Sequence, residues 1–456
     1  MTTTGPESGP TSGPTPGLRP VAPLSRRTLA GYSLGSLVTG AFGTVPGLLL
    51  LPYLTDTLGV AAGVAGLLVL LPKAWDVLVN PVAGRVSDRR GDRRSFLLGA
   101  GLTLGVLFAA IFAGPVRSGA GAGAYVALAF LAAATAYAFF QVPYIAMPAE
   151  LTSGTDGYAE RTRLSTWRVA VLALAILVSG AIAPLVVEQT GGGVTGHRWS
   201  GLFVGLLIVV GTLGVYFGTR RAETSSAAES EPDLRTQLRV AMANRPFLAL
   251  LLCWIVQAVG TGTMLAGVQY FADHIVERES GATFLFAAFV GPALLVMPLW
   301  TRIGRRHGKP RSLTFASLLF AAGALALLLA LVLPPVAVYL IVACVGAGYA
   351  GQQVFGLAML PDCIAWDTER TGRRQAGVFT GLWTAGETLG LALGPGLYAL
   401  ILQLFGYVSS STGDAAAQDD AARLGVLLGF TVVPAVLVAA AVLLLGAYRD
   451  QWRKAT

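Results

Sequence analysis

The sequence predicts an all-α integral membrane protein, with twelve transmembrane helices in two six-helix halves. Three observations predict it. Apolar runs of about 20 residues, the length that spans a bilayer as a helix, recur along nearly the whole chain. Only 12% of the 456 residues are charged and 54% are hydrophobic, whereas an average soluble domain carries about 25% charged residues. The basic residues, finally, gather in alternate connections between the runs.

Residues 1–24 are rich in Gly, Pro, Ser and Thr and lack an apolar core. They read as a disordered cytoplasmic tail and not as a signal peptide. The first half, residues 25–219, holds apolar runs at 29–54, 61–84, 96–114, 122–147, 166–187 and 199–219. The second run contains Lys73 and Asp76, and Gly and Pro interrupt the fifth near Gly180 and Pro184. Residues 220–245 form the one long hydrophilic stretch inside the chain, read as a cytoplasmic central loop. The second half, residues 246–447, holds runs at 247–272, 282–301, 312–333, 335–360, 376–405 and 424–447, and residues 448–456 form a second cytoplasmic tail.

Orientation follows from Lys and Arg. With the N-terminus inside, the inner connections receive 26 basic residues and the outer ones only four, Arg117, Arg198, Arg278 and Arg423. That asymmetry predicts a multi-pass protein of the cell membrane with both termini in the cytoplasm. It also accounts for the formal net charge of +8, so nucleic acid is not an implied partner. Cys253, Cys344 and Cys363 lie far apart in apolar segments, and His197, His274 and His307 fall in different loops. No disulfide framework, metal-ligand spacing, nucleophile triad or phosphate loop is present, so no enzyme chemistry and no cofactor are expected.

The halves echo each other weakly. The second run leads into Gly84–Arg94, and the eighth into Thr301-Arg302-Ile-Gly-Arg305-Arg306-His-Gly308-Lys309. The fourth ends Met147-Pro148-Ala-Glu150, followed by Arg161 and Arg163; the tenth ends Leu360-Pro361-Asp362, followed by Arg373 and Arg374. Similar loops six segments apart suggest parallel repeats with a cavity at their interface.

Charge inside the runs points to that cavity. A charged side chain in hydrocarbon costs about 3 kcal/mol on insertion scales, so it is retained where it faces a cavity or a partner. Lys73, Asp76 and Asn80 recur at i, i+3, i+7 and share one helical face. Arg168 and Glu387 are the other charges inside runs. Around them lie polar and aromatic residues at helical spacing: Tyr137, Gln141 and Tyr144 on the fourth segment, Trp254, Gln257 and Thr261 on the seventh, Trp383, Thr384 and Glu387 on the eleventh. Aromatic faces with a few amides suit flat polar solutes, and they equally suit hydrogen bonding between helices.

The loop Gly84-x-x-x-Asp88-Arg89-x-Gly91-x-Arg93-Arg94 is similar to the signature between helices two and three of the major facilitator superfamily. Within it the chain resembles the glycoside–pentoside–hexuronide:cation symporters, the melibiose-carrier group. The resemblance rests on Tyr53-Leu-Thr-Asp56-x-Leu-Gly59, Lys73-Ala-Trp-Asp76-Val-Leu-Val-Asn80-Pro81-x-x-Gly84, Val142-Pro143-Tyr144, Glu160-Arg161-Thr-Arg163-Leu, Asn244-Arg245-Pro246-Phe247 and Leu360-Pro361-Asp362…Thr371-Gly372-Arg373-Arg374-Gln-Ala-Gly377. These run in the family's order across both halves.

The resemblance implies secondary transport by alternating access, with a small-molecule substrate, a coupling cation and the bilayer as partners of a monomer. It places the coupling-cation site at Asp76, with Lys73 as basic partner and Asn80 where the family keeps a second acid. A Na⁺ site prefers several oxygen ligands with net negative charge, whereas a lone carboxylate beside a cation can still exchange a proton, so H⁺ is expected over Na⁺. The family's sugar-gripping carboxylates fall at Gly40 and Gln141, and neither is an ionised acceptor. Its helix-eleven lysine falls at Thr388 or a neighbour, beside Glu387, for which Lys73 or Arg168 is the expected charge partner. The expected substrate contacts are therefore Gln141, Tyr144, Tyr137, Arg168, Trp254, Gln257, Trp383, Glu387 and Thr388. Gating is expected of Gly84, Asp88, Arg89, Asp362, Arg373 and Arg374. A sugar or glycoside is the implied cargo; the altered pocket leaves open export of a drug-like, secondary-metabolite or lysolipid molecule.

Overall fold

The computed structural model of the chain describes residues 24–89, 93–114, 119–151, 157–220, 239, 243–278, 280–371, 376–410 and 417–455. In the first half, α1 is Arg26–Pro52, α2 Ala62–Arg89, α3 Arg93–Phe112, α4 Ala120–Leu151, α5 Gly157–Gln189 and α6 Gly193–Thr219. In the second, α7 is Arg245–Phe271, α8 Gly281–His307, α9 Lys309–Ala326, α10 Pro335–Thr371 and α11 Ala376–Leu404. The twelfth span is built from α12, Asp420–Phe430, and α13, Val432–Ala455, which part at Thr431, just before Pro434. Among the described residues, eleven spans are long and apolar enough to cross a membrane, and α2 contributes a shorter apolar stretch, Ala62–Lys73.

Most helices extend beyond the apolar runs. α5 begins at Gly157 and passes straight through Pro184, so the interruption expected near Gly180 and Pro184 does not break it. Gly180 instead lies against the Phe286 ring of α8, where a Cβ would stand 2.2 Å from a ring carbon. α10 continues past its apolar run to Thr371. Hydrogen bonding carries a helix on into polar residues, where hydropathy no longer registers it.

The two halves start and end their first helices alike. Ser25 Oγ accepts from Thr28 N at 3.1 Å to open α1, and Asn244 Oδ1 accepts from Phe247 N at 2.9 Å to open α7. Each satisfies an amide that the helix start leaves without an intrahelical partner. α1 closes in a π-helical turn, Tyr53–Thr57, and α7 in another, Ala272–Val276. A Tyr-x-x-Asp stretch, Tyr53 to Asp56 and Tyr270 to Asp273, lies at each. A repeated rare distortion supports the internal repeat better than the basic loops do.

Small residues let the helices meet closely, as is common where lipid offers no hydrophobic drive between them. α1 and α6 approach at Gly31 and Gly218, where a Cβ on Gly31 would sit 2.4 Å from the Gly218 Cα. The halves meet where α1 packs on α7, α2 on α11 and α5 on α8. Gly66 of α2 faces Ala399 of α11, and Gly63 N donates to Gln403 Oε1 at 3.1 Å. Thr283 Oγ1 of α8 donates to Ala181 O of α5 at 3.1 Å. Beyond α11, Ser410 N donates to Thr55 O and Ser409 Oγ to Val60 O, both at 2.9 Å. These contacts cluster at the end of the bundle opposite the two termini, and that end is closed.

Candidate functional site

Two polar clusters lie inside the bundle, one in each half. In the first half, α1, α2, α4 and α5 bring together Ser36, Lys73, Asp76, Tyr137, Tyr144 and Arg168. The Asp76 side chain is only 5% exposed, and its Oδ1 has no hydrogen-bond partner. Lys73 is its electrostatic neighbour, yet no direct ion pair forms. The ammonium instead lies over the Phe42 and Phe130 rings, 5.4 and 6.0 Å from their centroids. Such cation–π contacts hold a buried ammonium without neutralising the acid. Tyr137 stacks on Phe42 at 4.3 Å and feels the charges of both Asp76 and Arg168. Asn80 is half-buried, one turn on from Asp76.

Tyr144 does not line open space in this conformation. It is fully buried, stacks on Tyr32 at 4.8 Å, and donates its hydroxyl to the Tyr32 carbonyl at 2.9 Å. Ser36 Oγ donates to the Arg168 carbonyl at 2.9 Å. The Arg168 guanidinium lies 5.4 Å from the Tyr144 ring centroid, and its Nε is buried without a partner. Tyr144 thus fixes α1, α4 and α5 together and sets the position of Arg168. Gln141, one turn before it, is half-buried.

Gly40 is closed to any carboxylate. A Cβ there would stand 2.7 Å from the Ala175 Cβ and 3.3 Å from the α5 backbone at Ile176 N. Helix packing fills the position at which the resemblance placed a sugar-gripping acid. Gly40→Asp should destabilise the protein by about 1–3 kcal/mol from overpacking alone, with Gly40→Ala intermediate. An unchanged melting temperature in detergent for Gly40→Asp would contradict this packing.

In the second half, α7, α10 and α11 line a narrow cleft with room for little more than one water molecule in this conformation. Trp254, Gln257, Thr261, Gln352, Gln353 and Glu387 are its main lining residues, with Tyr349, Ala258 and Leu391 completing it. Trp254 and Trp383 stack at 4.5 Å, 25° from parallel. Both indole nitrogens, Gln257 Oε1 and Gln352 Nε2 are buried with no hydrogen-bond partner. Gln257 Nε2 donates to Ser317 Oγ of α9 at 3.0 Å, which leaves its carbonyl oxygen unused. The Gln353 side chain neighbours Glu387 and donates Nε2 to the Tyr349 hydroxyl at 2.7 Å. Buried polar atoms are normally paired; several unpaired donors and acceptors beside an aromatic stack suit a polar ligand with one apolar face.

Glu387 therefore does not pair with Lys73 or Arg168, as the sequence led us to expect. Both cations belong to the first half and lie over aromatic rings there, whereas Glu387 neighbours Gln353 of α10 in its own half. Thr388 is half-buried and is not among the residues lining the pocket. Tyr349, Gln352 and Gln353 were not expected. They fall at i, i+3, i+4 in the tenth apolar run, and that polar face was the available signal.

Of the expected gating residues, the side chains of Gly84, Asp88 and Arg89, and the whole of Arg373 and Arg374, lie outside the described residues. Asp362 accepts from Lys309 Nζ at 2.7 Å, and that ammonium also donates to Ala358 O at 3.0 Å. In this conformation Asp362 ties α9 to α10 within one half and does not bridge the halves.

Comparison with known proteins agrees with this architecture. The chain is 28% identical to the uncharacterized symporter YnaJ of Bacillus subtilis (strain 168), over 95% of this chain and 94% of that protein. It is 25% identical to the glucuronide carrier protein homolog of Escherichia coli (strain K12), over 90% of each. It shares a fold, at 15% identity and a TM-score of 0.65, with a bacterial homolog of the human lysosomal transporter Spinster in its inward-facing, unoccupied conformation, over 92% of this chain and 95% of that one. Residues 31–449 match the profile of the MFS/sugar transport proteins. On that match over most of its length, and on the two-half helical architecture that goes with it, the chain belongs to the MFS/sugar transport protein family.

Proposed function

We propose that the protein is a cation-coupled symporter of a sugar or glycoside, working by alternating access in the cell membrane as a monomer with both termini cytoplasmic. One observation carries the reading. Among helices of the second half, buried polar atoms without protein partners adjoin the Trp254–Trp383 stack. A sugar ring offers an apolar face for indole and hydroxyls for the amides and the carboxylate. The names of the relatives, a symporter and a glucuronide carrier homolog, favour the same class. With the termini inside, closure at the opposite end makes this an inward-facing conformation.

The coupling ion we favour is H⁺. Asp76 has a cation as its electrostatic neighbour and an amide, Asn80, one turn on. A single carboxylate can carry one proton, but it supplies few of the oxygen ligands that a hard cation takes. The test is uptake and counterflow of a labelled panel of sugars and glycosides in proteoliposomes, with a pH gradient or a Na⁺ gradient imposed separately. Accumulation driven by the pH gradient alone is expected. Accumulation of no panel member would overturn the substrate class, and dependence on Na⁺ would overturn the ion.

A further inference from the structure

A second buried carboxylate lies far from the pocket, at the closed end. Asp56, in the π turn that ends α1, is only 8% exposed. Its Oδ1 accepts from the Tyr407 hydroxyl at 2.9 Å. Tyr407 follows α11, so this bond joins the two halves. His274 Nε2, in the π turn that ends α7, lies 3.0 Å from the same hydroxyl. Beside the chain, Thr55 Oγ1 lies 2.7 Å from the Tyr270 hydroxyl, again from one half to the other.

The order of protons in this chain is constrained. Tyr407 has one hydroxyl proton, and Asp56 receives it. His274 Nε2 must then carry a proton of its own and donate to the phenol oxygen. If Asp56 is protonated, the chain can run the other way. Asp56 then donates to Tyr407, Tyr407 donates to Nε2, and the imidazole holds its proton on Nδ1. One proton is added overall, and each of the two hydrogen bonds holds one proton in either arrangement.

We propose that Asp56 is a proton-binding site of the outer gate, separate from Asp76, and that a proton on it favours closure of the outer end. The physical cause is burial. An ionised carboxylate loses its hydration when the halves close over it, and here its neighbours are the neutral hydroxyls of Tyr407 and Thr55, with no cation in direct contact. A protonated carboxyl enters the same site without that penalty. When the end opens, Asp56 parts from Tyr407 and His274 and meets water.

The surrounding charges do not supply a substitute. From α7, Asp273 adds a like charge and is itself held by Gln269. Tyr270 of α7 and Tyr398 of α11 are neutral phenols near the carboxylate. Arg423, which opens α12, reaches the His274 carbonyl at 2.9 Å and is paired with Glu277. From α6, the His197 ring lies 4.6 Å from the Tyr53 ring, tilted by 37°, and Arg198 is directed to the Gly114 carbonyl. Glu188 of α5 faces Asp273 and caps the Ser280 amide.

The inference rests on the alternating-access reading, and its test needs no transported substrate, so a failed sugar panel would not count against it. The full chain, with Cys253, Cys344 and Cys363 replaced by Ala, would carry spin labels at Gly121→Cys and Val336→Cys. These positions start α4 and α10 at the closed end of opposite halves. Distances would be measured in lipid nanodiscs from pH 5.5 to 8.5. The parental protein should shift toward longer distances as the pH rises. Asp56→Asn should keep the short distances at every pH. Tyr407→Phe, which keeps the ring and removes the donor, should move the pH at which the distances change. A parental protein that does not respond to pH, a normal response in Asp56→Asn, or an unmoved profile in Tyr407→Phe would each overturn the proposal.

Discussion

Asp76→Asn is expected to abolish accumulation of substrate against a gradient while leaving exchange intact. The carboxylate is buried in α2 with one oxygen unpartnered, and Lys73 is near it without an ion pair. An amide of the same shape keeps the packing and cannot take up and release a proton. At one proton per substrate, a gradient of one pH unit is worth about 1.4 kcal/mol, or a tenfold accumulation. In Asp76→Asn that ratio should fall to about one, and counterflow should continue because the pocket of the second half is untouched. Retained accumulation in this variant would remove Asp76 from coupling. Asn80→Asp adds the second oxygen-rich ligand on the same helical face and should introduce Na⁺ dependence. An unaltered Na⁺ response there would mean that residues 76 and 80 do not face one site.

The transmembrane architecture was legible because bilayer-length apolar runs and the Lys and Arg bias are properties of composition. Helix ends were not legible. The starts of α5 and the end of α10 lie in polar sequence, and the π turns at Tyr53–Thr57 and Ala272–Val276 leave no periodic mark. Single site residues could be found because a charge or a paired indole inside a run is expensive or large. Their partners could not, because partnership depends on how each helix is rotated about its axis. Glu387 therefore drew a cation from the other half on charge alone, while its neighbour is an amide, Gln353, of its own half. Asp56 was visible only as part of a family-like stretch; its link to Tyr407, 351 residues away in sequence, exists only in the fold.

Glu387→Gln should weaken substrate binding with little change in coupling, the opposite signature to Asp76→Asn. A carboxylate can accept from two hydroxyls of one ring, and hydrogen bonds to a charged group are worth about 1.5–3 kcal/mol. Loss of that acceptor should raise the dissociation constant by roughly ten- to a hundredfold, while saturating substrate should still be accumulated. Trp383→Ala should lower affinity as well, by removing one ring of the indole stack that forms the apolar side of the site. Because neither Lys73 nor Arg168 bonds to Glu387, neutralising either cation alongside Glu387→Gln should add to the defect and not relieve it. Rescue by Lys73→Met would reveal a pair across the halves that forms in another conformation, and the acceptor role would then be wrong. Unchanged affinity in Glu387→Gln would take the acid out of the site altogether. The unpartnered Gln257 Oε1 and Gln352 Nε2 would then be the groups to substitute next.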